Sequence, residues 1–319
     1  MKKTNIEELY NVYLKHSSLS KDSRNIPEAS IYLALKGENF NGNTFADEAL
    51  RKGAAYVVID DEKVWKDDRY LLVDDVSESL QQLAHYHRKQ LNIPIIAISG
   101  SNGKTTTKEL IAAALAKKFN TLYTLGNYNN HIGVPLTLLR ITQEHEMAII
   151  EMGANHQGEI ASLCQIAAPN YGMLTNIGKA HLEGFGGEEG VRKGKTEMFK
   201  YIENNKGTLF INLDDSKIKA SVPENLEFIT YSIKESAQCR GKLLETHPRL
   251  AGTWESNTQS GNINSALYGA YNFHNILAAC AIASHFGVEA SEIDDAINTY
   301  ESDMNRSQLV KKHGANIYL

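Results

Sequence analysis

The sequence predicts an α/β protein: a small N-terminal α/β domain followed by a central domain with a mostly parallel sheet flanked by helices. Short apolar strands alternate with amphipathic helices along most of the 319 residues, as in βαβ units. The central strands are apolar almost throughout, which indicates burial on both faces. Residues 92–94, Asn-Ile-Pro, interrupt the pattern and mark the boundary between the two domains.

The N-terminal domain, residues 1–92, is predicted to hold three helices and three short strands. The helices are expected at 6–14, 45–52 and 77–91, and the strands at 31–35, 55–59 and 70–73. A polar, glycine-containing loop at residues 36–43 follows the first strand. It is too polar for a core and lies where a ligand could bind.

The central domain, residues 93–312, alternates strand and helix. The strands are expected at 95–99, 148–152, 172–177 and 208–212, and the helices at 105–118, 159–167, 190–201, 275–286 and 292–300. Residues 226–270 have shorter strands and a polar stretch, which indicates an antiparallel excursion. Residues 313–319 are expected to open a further, C-terminal domain.

Composition excludes several classes of function. With 33 basic and 38 acidic residues the net charge is −5, so a nucleic-acid partner is not expected. No apolar run approaches the length of a membrane span, and the first residues do not resemble a signal peptide. The three widely spaced cysteines, at 164, 239 and 280, are expected to be buried free thiols rather than disulfide partners or zinc ligands. We therefore expect a cytoplasmic protein.

A glycine-rich loop between a strand and a helix is the strongest functional signal. Its residues are Gly100, Ser101, Asn102, Gly103, Lys104, Thr105 and Thr106. Backbone N–H groups and the helix dipole at such a turn point at phosphates, the lysine adds charge, and the first threonine can bind Mg²⁺. Ile98 stands where the usual P-loop has its first glycine, so this is a shorter form. The alternative is a plain glycine turn with a surface lysine, which the strand–loop–helix context disfavours. We predict a P-loop ATPase domain.

Three further residues are predicted at the same edge of the sheet, because ligands of open α/β sheets bind at the carboxyl ends of the strands. Glu151 ends one strand, His181 follows the next, and Lys195 lies on the helix after that. Taken singly, each has another explanation: an ion pair with a surface lysine, a packing histidine, or a solvated lysine. Their shared placement favours a metal site, although Mg²⁺ prefers oxygen ligands and a histidine would be unusual.

Seven stretches carry a resemblance to a known family. They are Asp22-Ser23-Arg24, Ala34-Leu35-Lys36-Gly37, the loop Gly100 to Thr106, residues 126–137, Glu151-Met152-Gly153-Ala154-Asn155, residues 180–186 and Asn305-Arg306-Ser307-Gln308. Together they resemble the Mur ligases, ATP-dependent amide-forming enzymes of peptidoglycan precursor synthesis, over essentially the whole chain. Residues 129–135 and 180–186 are similar to the member that joins D-alanyl-D-alanine to UDP-N-acetylmuramoyl-tripeptide through an acyl phosphate.

The resemblance implies roles for individual residues. Lys104 and the loop would hold the ATP phosphates, with Asn275 on the adenine and Arg306 on the nucleotide. Thr105 and Glu151 would bind Mg²⁺, and His181 would help to place a second Mg²⁺. Lys195 matches the lysine that the family carbamylates, which would make it an oxygen ligand. Lys104, Lys195 and His181 are the implied catalytic residues. The position before Asn272 is often histidine in the family and is Tyr271 here.

Substrate binding is also implied by the resemblance. Ser23, Arg24 and Lys36 would grip the UDP end of the substrate, and Asn129 and Asn130 belong to a further substrate-binding stretch. The family has a third domain after the residues that end this chain, so we expect a fragment with little turnover of its own, acting as a monomer. No motif identifies the third residue of the tripeptide, lysine or diaminopimelate.

Two alternatives stay open at this stage. The first is a sister ligase on the same scaffold, such as another Mur ligase, a folylpolyglutamate synthase or a cyanophycin synthetase. The Ser23-Arg24 stretch favours a UDP-sugar substrate over folate. The second is a non-catalytic fragment that binds a nucleotide or a UDP-sugar.

Overall fold

The computed structural model describes residues 2–301, 309–312 and 315–318. The helices are α1 (Ile6–Lys15), α2 (Ala46–Arg51), α3 (Val76–Lys89), α4 (Lys104–Leu115), α5 (Gly133–Leu138), α6 (Glu159–Ala167), α7 (Leu182–Phe185), α8 (Glu188–Asn204), α9 (Ser216–Lys219), α10 (Tyr271–His285) and α11 (Ala290–Thr299). The strands are β1 (Leu19–Ser20), β2 (Ile31–Leu33), β3 (Lys36–Gly37), β4 (Phe40–Asn41), β5 (Tyr56–Ile59), β6 (Tyr70–Leu72), β7 (Ile95–Ser99), β8 (Thr121–Tyr123), β9 (Met147–Glu151), β10 (Tyr171–Leu174), β11 (Thr208–Asn212), β12 (Glu227–Ser232), β13 (Cys239–Glu245), β14 (Leu250–Ser256), β15 (Ser260–Ser265), β16 (Leu309–Lys312) and β17 (Ala315–Tyr318). None of the helices in these ranges is long and apolar enough to cross a membrane.

The chain divides into two compact units, Met1–Asn92 with His131–Arg140, and Ile93–Asn130 with Ile141–Leu319. The segment 131–140 was not expected in the first unit, since the sequence analysis placed it in the central domain. It lies there because α5 packs on α3, and because the Tyr13 hydroxyl donates a hydrogen bond to the carbonyl of Leu139. The residues that flank such a short segment in the sequence do not indicate which hydrophobic core it packs against.

The first unit is built on a parallel sheet of order β1-β2-β5-β6. Its strands are short and buried, and α2 packs against β5. The loop 36–43 forms a small antiparallel pair, β3 and β4, rather than an irregular turn. Gly42 is required at its end, because a Cβ there would lie 2.6 Å from the carbonyl oxygen of Leu35.

The second unit holds a nine-stranded sheet of order β15-β14-β13-β12-β11-β10-β7-β9-β8 among the described residues. The strands from β8 to β13 in this order pair in parallel, and β13, β14 and β15 pair antiparallel. The α/β class and the mostly parallel central sheet are confirmed, and so is the antiparallel excursion. The parallel strands β7 and β9 are buried at every residue, as expected for a sheet covered on both faces.

Helices α4 and α10 pack on each other over this sheet and share its apolar core. Helix α8 packs on β10 and β11, where Met198 and Ile202 approach Gly172 so closely that a Cβ there would be about 3.0 Å from the Met198 sulfur. A glycine in the strand thus lets α8 lie close to the sheet. All three cysteines are buried and free, as expected.

Two element bounds differ from expectation in ways that matter for the site. Strand β10 ends at Leu174, so Thr175 and Asn176 belong to the loop that follows. Their side chains bond to the backbone of a neighbouring loop instead of continuing the strand. Helix α10 begins at Tyr271, four residues earlier than expected, which places Asn272 and Asn275 three apart on one helical face.

Candidate active site

The glycine-rich loop joins β7 to α4 at the carboxyl end of the sheet. Gly100 has φ +135°, and a Cβ there would lie 2.1 Å from the Thr175 hydroxyl oxygen. Gly103 has φ +79° and caps α4, so its backbone conformation also favours glycine. The loop follows a buried strand and opens a twelve-residue helix, which is the context that an anion-binding turn requires.

Hydrogen bonds to residues 175–178, which follow β10, hold the glycine-rich loop in place. The backbone N–H of Asn102 donates to Oδ1 of Asn176 at 3.1 Å, and the Thr175 hydroxyl donates to the carbonyl of Asn102 at 2.6 Å. The hydroxyl of Ser101 bonds to the backbone of Gly178. Lys104 bends back over the loop and donates to the carbonyls of Gly100 and Ser101, at 2.9 and 3.2 Å. The loop is therefore preorganised, with its lysine directly above it.

Glu151 ends β9 and is 1% exposed. Its Oε1 accepts a hydrogen bond from the Thr105 hydroxyl at 3.4 Å and another from Nδ2 of Asn129 at 2.9 Å. Two predicted metal ligands, Thr105 and Glu151, thus lie together beside the loop. Asn129, predicted to bind substrate, contacts the same carboxylate. A carboxylate and a hydroxyl are donors that Mg²⁺ prefers, so this pair fits that ion.

Lys195 lies on α8 and is 1% exposed. Its Nζ donates to the carbonyl of Ala154 at 3.1 Å and lies 5.2 Å from the centre of the Phe185 ring. Burial, and then the charge of Lys104, lower the pKa of Lys195 to about 8, although Glu159 and Glu197 act in the opposite direction. At neutral to mildly alkaline pH this amine is partly in its neutral, nucleophilic form.

The Phe185 ring reaches Lys195 because α8 has glycine where α7 approaches it. A Cβ on Gly190 would lie 1.8 Å from the Phe185 carbonyl oxygen, and one on Gly194 would lie 2.4 Å from its ring. The spacing of these two glycines places both on one helical face. They are the reason that a buried aromatic ring lies over the lysine amine.

His181 lies at the start of α7 in the left-handed backbone region, φ +54°, and its side chain is exposed. No hydrogen bond or ion pair joins it to Glu151 or Lys195, so the structure does not bring it into the cluster that those residues form. Within 2–301 and the two short strands that follow, no three His, Cys, Asp or Glu side chains are grouped to hold a metal ion. Its metal role stays a prediction.

A cavity of about 590 Å³ opens beside the loop. It is lined by residues of the loop, of the segments after β10 and β11, and of α10, namely Asn102, Gly103, Thr175, Asn176, Ile177, Asn212, Asp214, Asp215, Ser216, Lys217, Lys234, Tyr271, His274 and Asn275. Asn275 lies against Gly103 and donates from Nδ2 to Asn272. The predicted adenine residue thus lines a cavity that reaches the phosphate loop. Arg306, predicted to contact the nucleotide, lies outside the described residues.

The predicted residues of the first unit are engaged in ion pairs or buried. The Arg24 guanidinium makes two hydrogen bonds to Asp22, at 2.9 and 2.8 Å, and holds the pKa of that carboxyl well below its usual range. Lys36 pairs with the buried Asp60 at 2.8 Å. Ser23 is 7% exposed. These three residues are not linked to each other by hydrogen bonds. Asn130, predicted with Asn129, belongs to the second unit.

The sequence analysis missed Lys108, whose amine lies 3.5 Å from Oε2 of Glu151 in the core of the site. It also missed Asp214 and His274, which pair at 3.1 Å in the cavity wall. A signal for Lys108 existed, since it follows Thr105 by three residues and so shares its helical face.

Fold and loop together define an α/β protein with a P-loop-type turn between β7 and α4. The profile of the Mur ligase middle domain matches residues 98–283, more than half of the chain, and that of the Mur ligase family, catalytic domain, matches residues 16–100. The chain belongs to the Mur ligase family.

The chain is also similar to individual curated proteins of this family. The chain is 36% identical to the UDP-N-acetylmuramoyl-tripeptide–D-alanyl-D-alanine ligase of Escherichia coli (strain K12) over 291 residues, which cover 90% of this chain and 64% of that protein. For the protein of the same name in Bacillus subtilis (strain 168), the identity is 30%, with 92% and 64% covered. The chain thus spans just under two thirds of the length of these curated relatives.

Solved structures of Mur ligases superpose on this chain. The crystal structure of MurF from Acinetobacter baumannii superposes with a TM-score of 0.84 at 30% identity, covering 94% of this chain and 66% of that one. The MurF ligase from Thermotoga maritima in complex with ADP superposes with the same TM-score at 27% identity, covering 94% and 70%.

Proposed function

We propose that this chain acts in the ATP-dependent joining of D-alanyl-D-alanine to UDP-N-acetylmuramoyl-tripeptide, which yields the UDP-muramyl-pentapeptide of peptidoglycan synthesis. The observation that carries the proposal is the convergence of the phosphate loop, the Thr105–Glu151 pair and the buried Lys195 in one unit. The similarity to ligases of this name supports the choice of substrates. A cytoplasmic location and a monomeric state go with the proposal.

ATP is the proposed nucleotide. The phosphates would lie on the loop, where Lys104 and the first backbone N–H groups of α4 offer positive charge. The adenosine would occupy the neighbouring cavity, next to Asn275. A related ligase from Thermotoga maritima was solved with ADP, which supports an adenine nucleotide as the ligand.

Mg²⁺ is the proposed cofactor, and Thr105 and Glu151 are its proposed ligands. When bound, the ion would neutralise charge on the transferring phosphoryl group. Carbamylation of Lys195 would add an oxygen ligand, and the neutral form of its amine makes that reaction with CO₂ possible. His181 is proposed to help place a second ion.

In the proposed reaction, the terminal carboxylate of the tripeptide attacks the γ-phosphorus of ATP, and ADP leaves. The amine of D-alanyl-D-alanine then attacks the acyl phosphate, and the tetrahedral intermediate collapses to an amide and inorganic phosphate. Lys104 and the loop N–H groups stabilise charge that develops on the phosphoryl oxygens. No side-chain nucleophile is needed, because positioning and electrostatics suffice.

Ser23, Arg24 and Lys36 are proposed to bind the UDP moiety. Arg24 and Lys36 are exposed, and their positive charge would attract a diphosphate. Asn129 and Asn130 are proposed to contact the muramyl peptide. Because the Asn129 amide already bonds to Glu151, it would couple substrate binding to the proposed metal ligand.

Isothermal titration tests the proposal directly. We expect Mg·ADP and UDP-muramyl-tripeptide to bind the purified protein at separate sites, and folate not to bind. Phosphate release is then measured with ATP, the tripeptide substrate and D-alanyl-D-alanine. Because little turnover is expected of this chain, release is compared with that of Lys104→Met. Binding of both ligands with no more release than in this variant would support a non-catalytic binding fragment instead. Folate binding without binding of the UDP-sugar would refute the proposal in favour of a sister ligase.

A further inference from the structure

A buried lysine that the proposed reaction does not use lies behind the proposed metal ligand. Lys108 is on α4, is 0% exposed, and its Nζ has no hydrogen-bond partner among the described residues. The nearest charges are Oε2 of Glu151 at 3.5 Å and Oε1 of Glu109 at 3.8 Å. The Tyr123 ring centre lies 5.8 Å away. A buried ammonium without hydrogen bonds is costly, so its position calls for a reason.

The two oxygens of Glu151 have different surroundings. Oε1 is bonded to Thr105 and Asn129 on the side of the phosphate loop. Oε2 is buried and has no hydrogen bond, and Lys108 lies beside it in ionic contact. Mg²⁺ in proteins usually keeps several of its waters. An oxygen shielded from solvent and next to an ammonium therefore cannot serve such an ion, whereas Oε1 can.

We propose that Lys108 is a positioning residue, which binds Oε2 of Glu151 from the protein interior and leaves Oε1 as the single oxygen for the metal ion. The inference rests on the proposed metal role of Glu151. Lys108 compensates the charge of the buried Glu151 carboxylate when no metal ion is bound. Because its positive charge stays nearby, it also weakens the hold of Glu151 on the ion.

A double-mutant cycle on thermal stability, without nucleotide or metal, tests the pair. Removing one partner of a buried ion pair leaves an uncompensated charge, whereas removing both is often nearly neutral. We expect Lys108→Met to lower the melting temperature by about 5 °C or more, and Glu151→Gln in the same chain to restore most of this loss. Glu109→Gln, which removes the other carboxylate, is the matched control and should not restore it.

The cycle has defined contrary results. Restoration by Glu109→Gln rather than Glu151→Gln would overturn the proposal, because Lys108 would then serve Glu109. A double variant no more stable than Lys108→Met would also overturn it. If Lys108→Met alone fails to fold, recovery of folding in the double variant with Glu151→Gln supports the pair.

Metal binding supplies a second readout. We expect Mn²⁺ in the presence of ADP, followed by electron paramagnetic resonance, to bind Lys108→Met about three-fold or more tightly than the wild type, since a nearby positive charge is gone. Lys117→Met removes an exposed lysine just beyond the same helix and should leave the affinity unchanged. Unchanged or weaker binding in Lys108→Met would overturn the counter-ion role.

The two proposals fail in distinguishable ways. If Glu151→Gln binds Mn²⁺ as tightly as the wild type, the metal role of Glu151 in the proposed function is wrong. The stability cycle still decides in that case whether Lys108 holds Glu151, because it is measured without metal.

Discussion

Two regions are predicted to bind ligands: the carboxyl edge of the central sheet, called the rim here, and the segments of the N-terminal unit that contain Arg24 and Lys36. The charged groups of the two regions are arranged differently. At the rim, Lys104 and Lys195 donate to backbone carbonyls, while Glu151 accepts from the neutral side chain of Asn129 and also lies in ionic contact with the buried amine of Lys108. In the N-terminal unit, Arg24 and Lys36 are paired with carboxylates of their own unit. Oε1 of Glu151 is bonded only to neutral groups, whereas Arg24 and Lys36 would have to exchange a carboxylate for a ligand.

The difference follows from topology. Parallel strands bring their carboxyl ends to one edge, so residues far apart in the chain meet there. Arg24 instead lies two residues after its partner Asp22, and such local pairs form whether or not a ligand is present. Mutations at the rim should therefore have large effects on chemistry, and mutations in the N-terminal unit smaller effects on substrate affinity.

The largest effect is expected for Lys104→Met. The lysine supplies the only charge that the loop itself carries, so its loss should abolish ADP binding in a titration and lower the small phosphate release expected of this chain by up to about 10³-fold. Lys117→Met, an exposed lysine beyond the same helix, should behave as the wild type. Near-normal ADP binding in Lys104→Met would show that the loop does not hold the phosphates.

A somewhat smaller effect is expected for Lys195→Met, about 10²-fold in turnover, with UDP-substrate binding preserved. Lys193→Met changes an exposed lysine on the same helix and serves as the control. Wild-type turnover in Lys195→Met would remove Lys195 from the site.

The pKa of Lys195 adds a pH dependence. With a pKa of about 8, half of the amine is neutral at pH 8, and the neutral fraction falls as the pH falls below that value. Since only the neutral amine reacts with CO₂, activation by bicarbonate should be present above pH 8 and be lost towards pH 6. Turnover is measured after preincubation with and without bicarbonate at each pH. Equal activation at both ends of this range would argue against carbamylation.

The smallest effect is expected for Arg24→Ala. We expect KM for UDP-muramyl-tripeptide to rise about ten-fold with kcat and the melting temperature unchanged, because an exposed ion pair adds little to stability. Arg69→Ala is a close control, since Arg69 makes the same two bonds to Asp67 two residues before it, in the same unit. A change in KM of equal size in both variants would mean that general surface charge, not a specific site, attracts the substrate.

Much of the rim could be predicted from local pattern. Strand β7, helix α6 and strand β11 have the expected bounds, because apolar runs and their flanking turns are local signals. The hydrogen bonds from Thr175 and Asn176 to the glycine-rich loop could not be predicted. The apolar pattern does not show which polar residues at the end of a strand contact a neighbouring loop. The shift of segment 131–140 to the first unit depends on packing against α3, which has no local signature.

The sequence by itself determined the α/β class, the glycine-rich loop and the position of Glu151 at the end of a strand. Each can be predicted from the local spacing of apolar, glycine and charged residues. Only the tertiary structure decided the environment of the two buried lysines. Lys195 lies under a phenylalanine ring that two glycines admit, and Lys108 lies behind the carboxylate of Glu151. Burial and the nearest charges set what a lysine does, and both arise from residues distant in the chain.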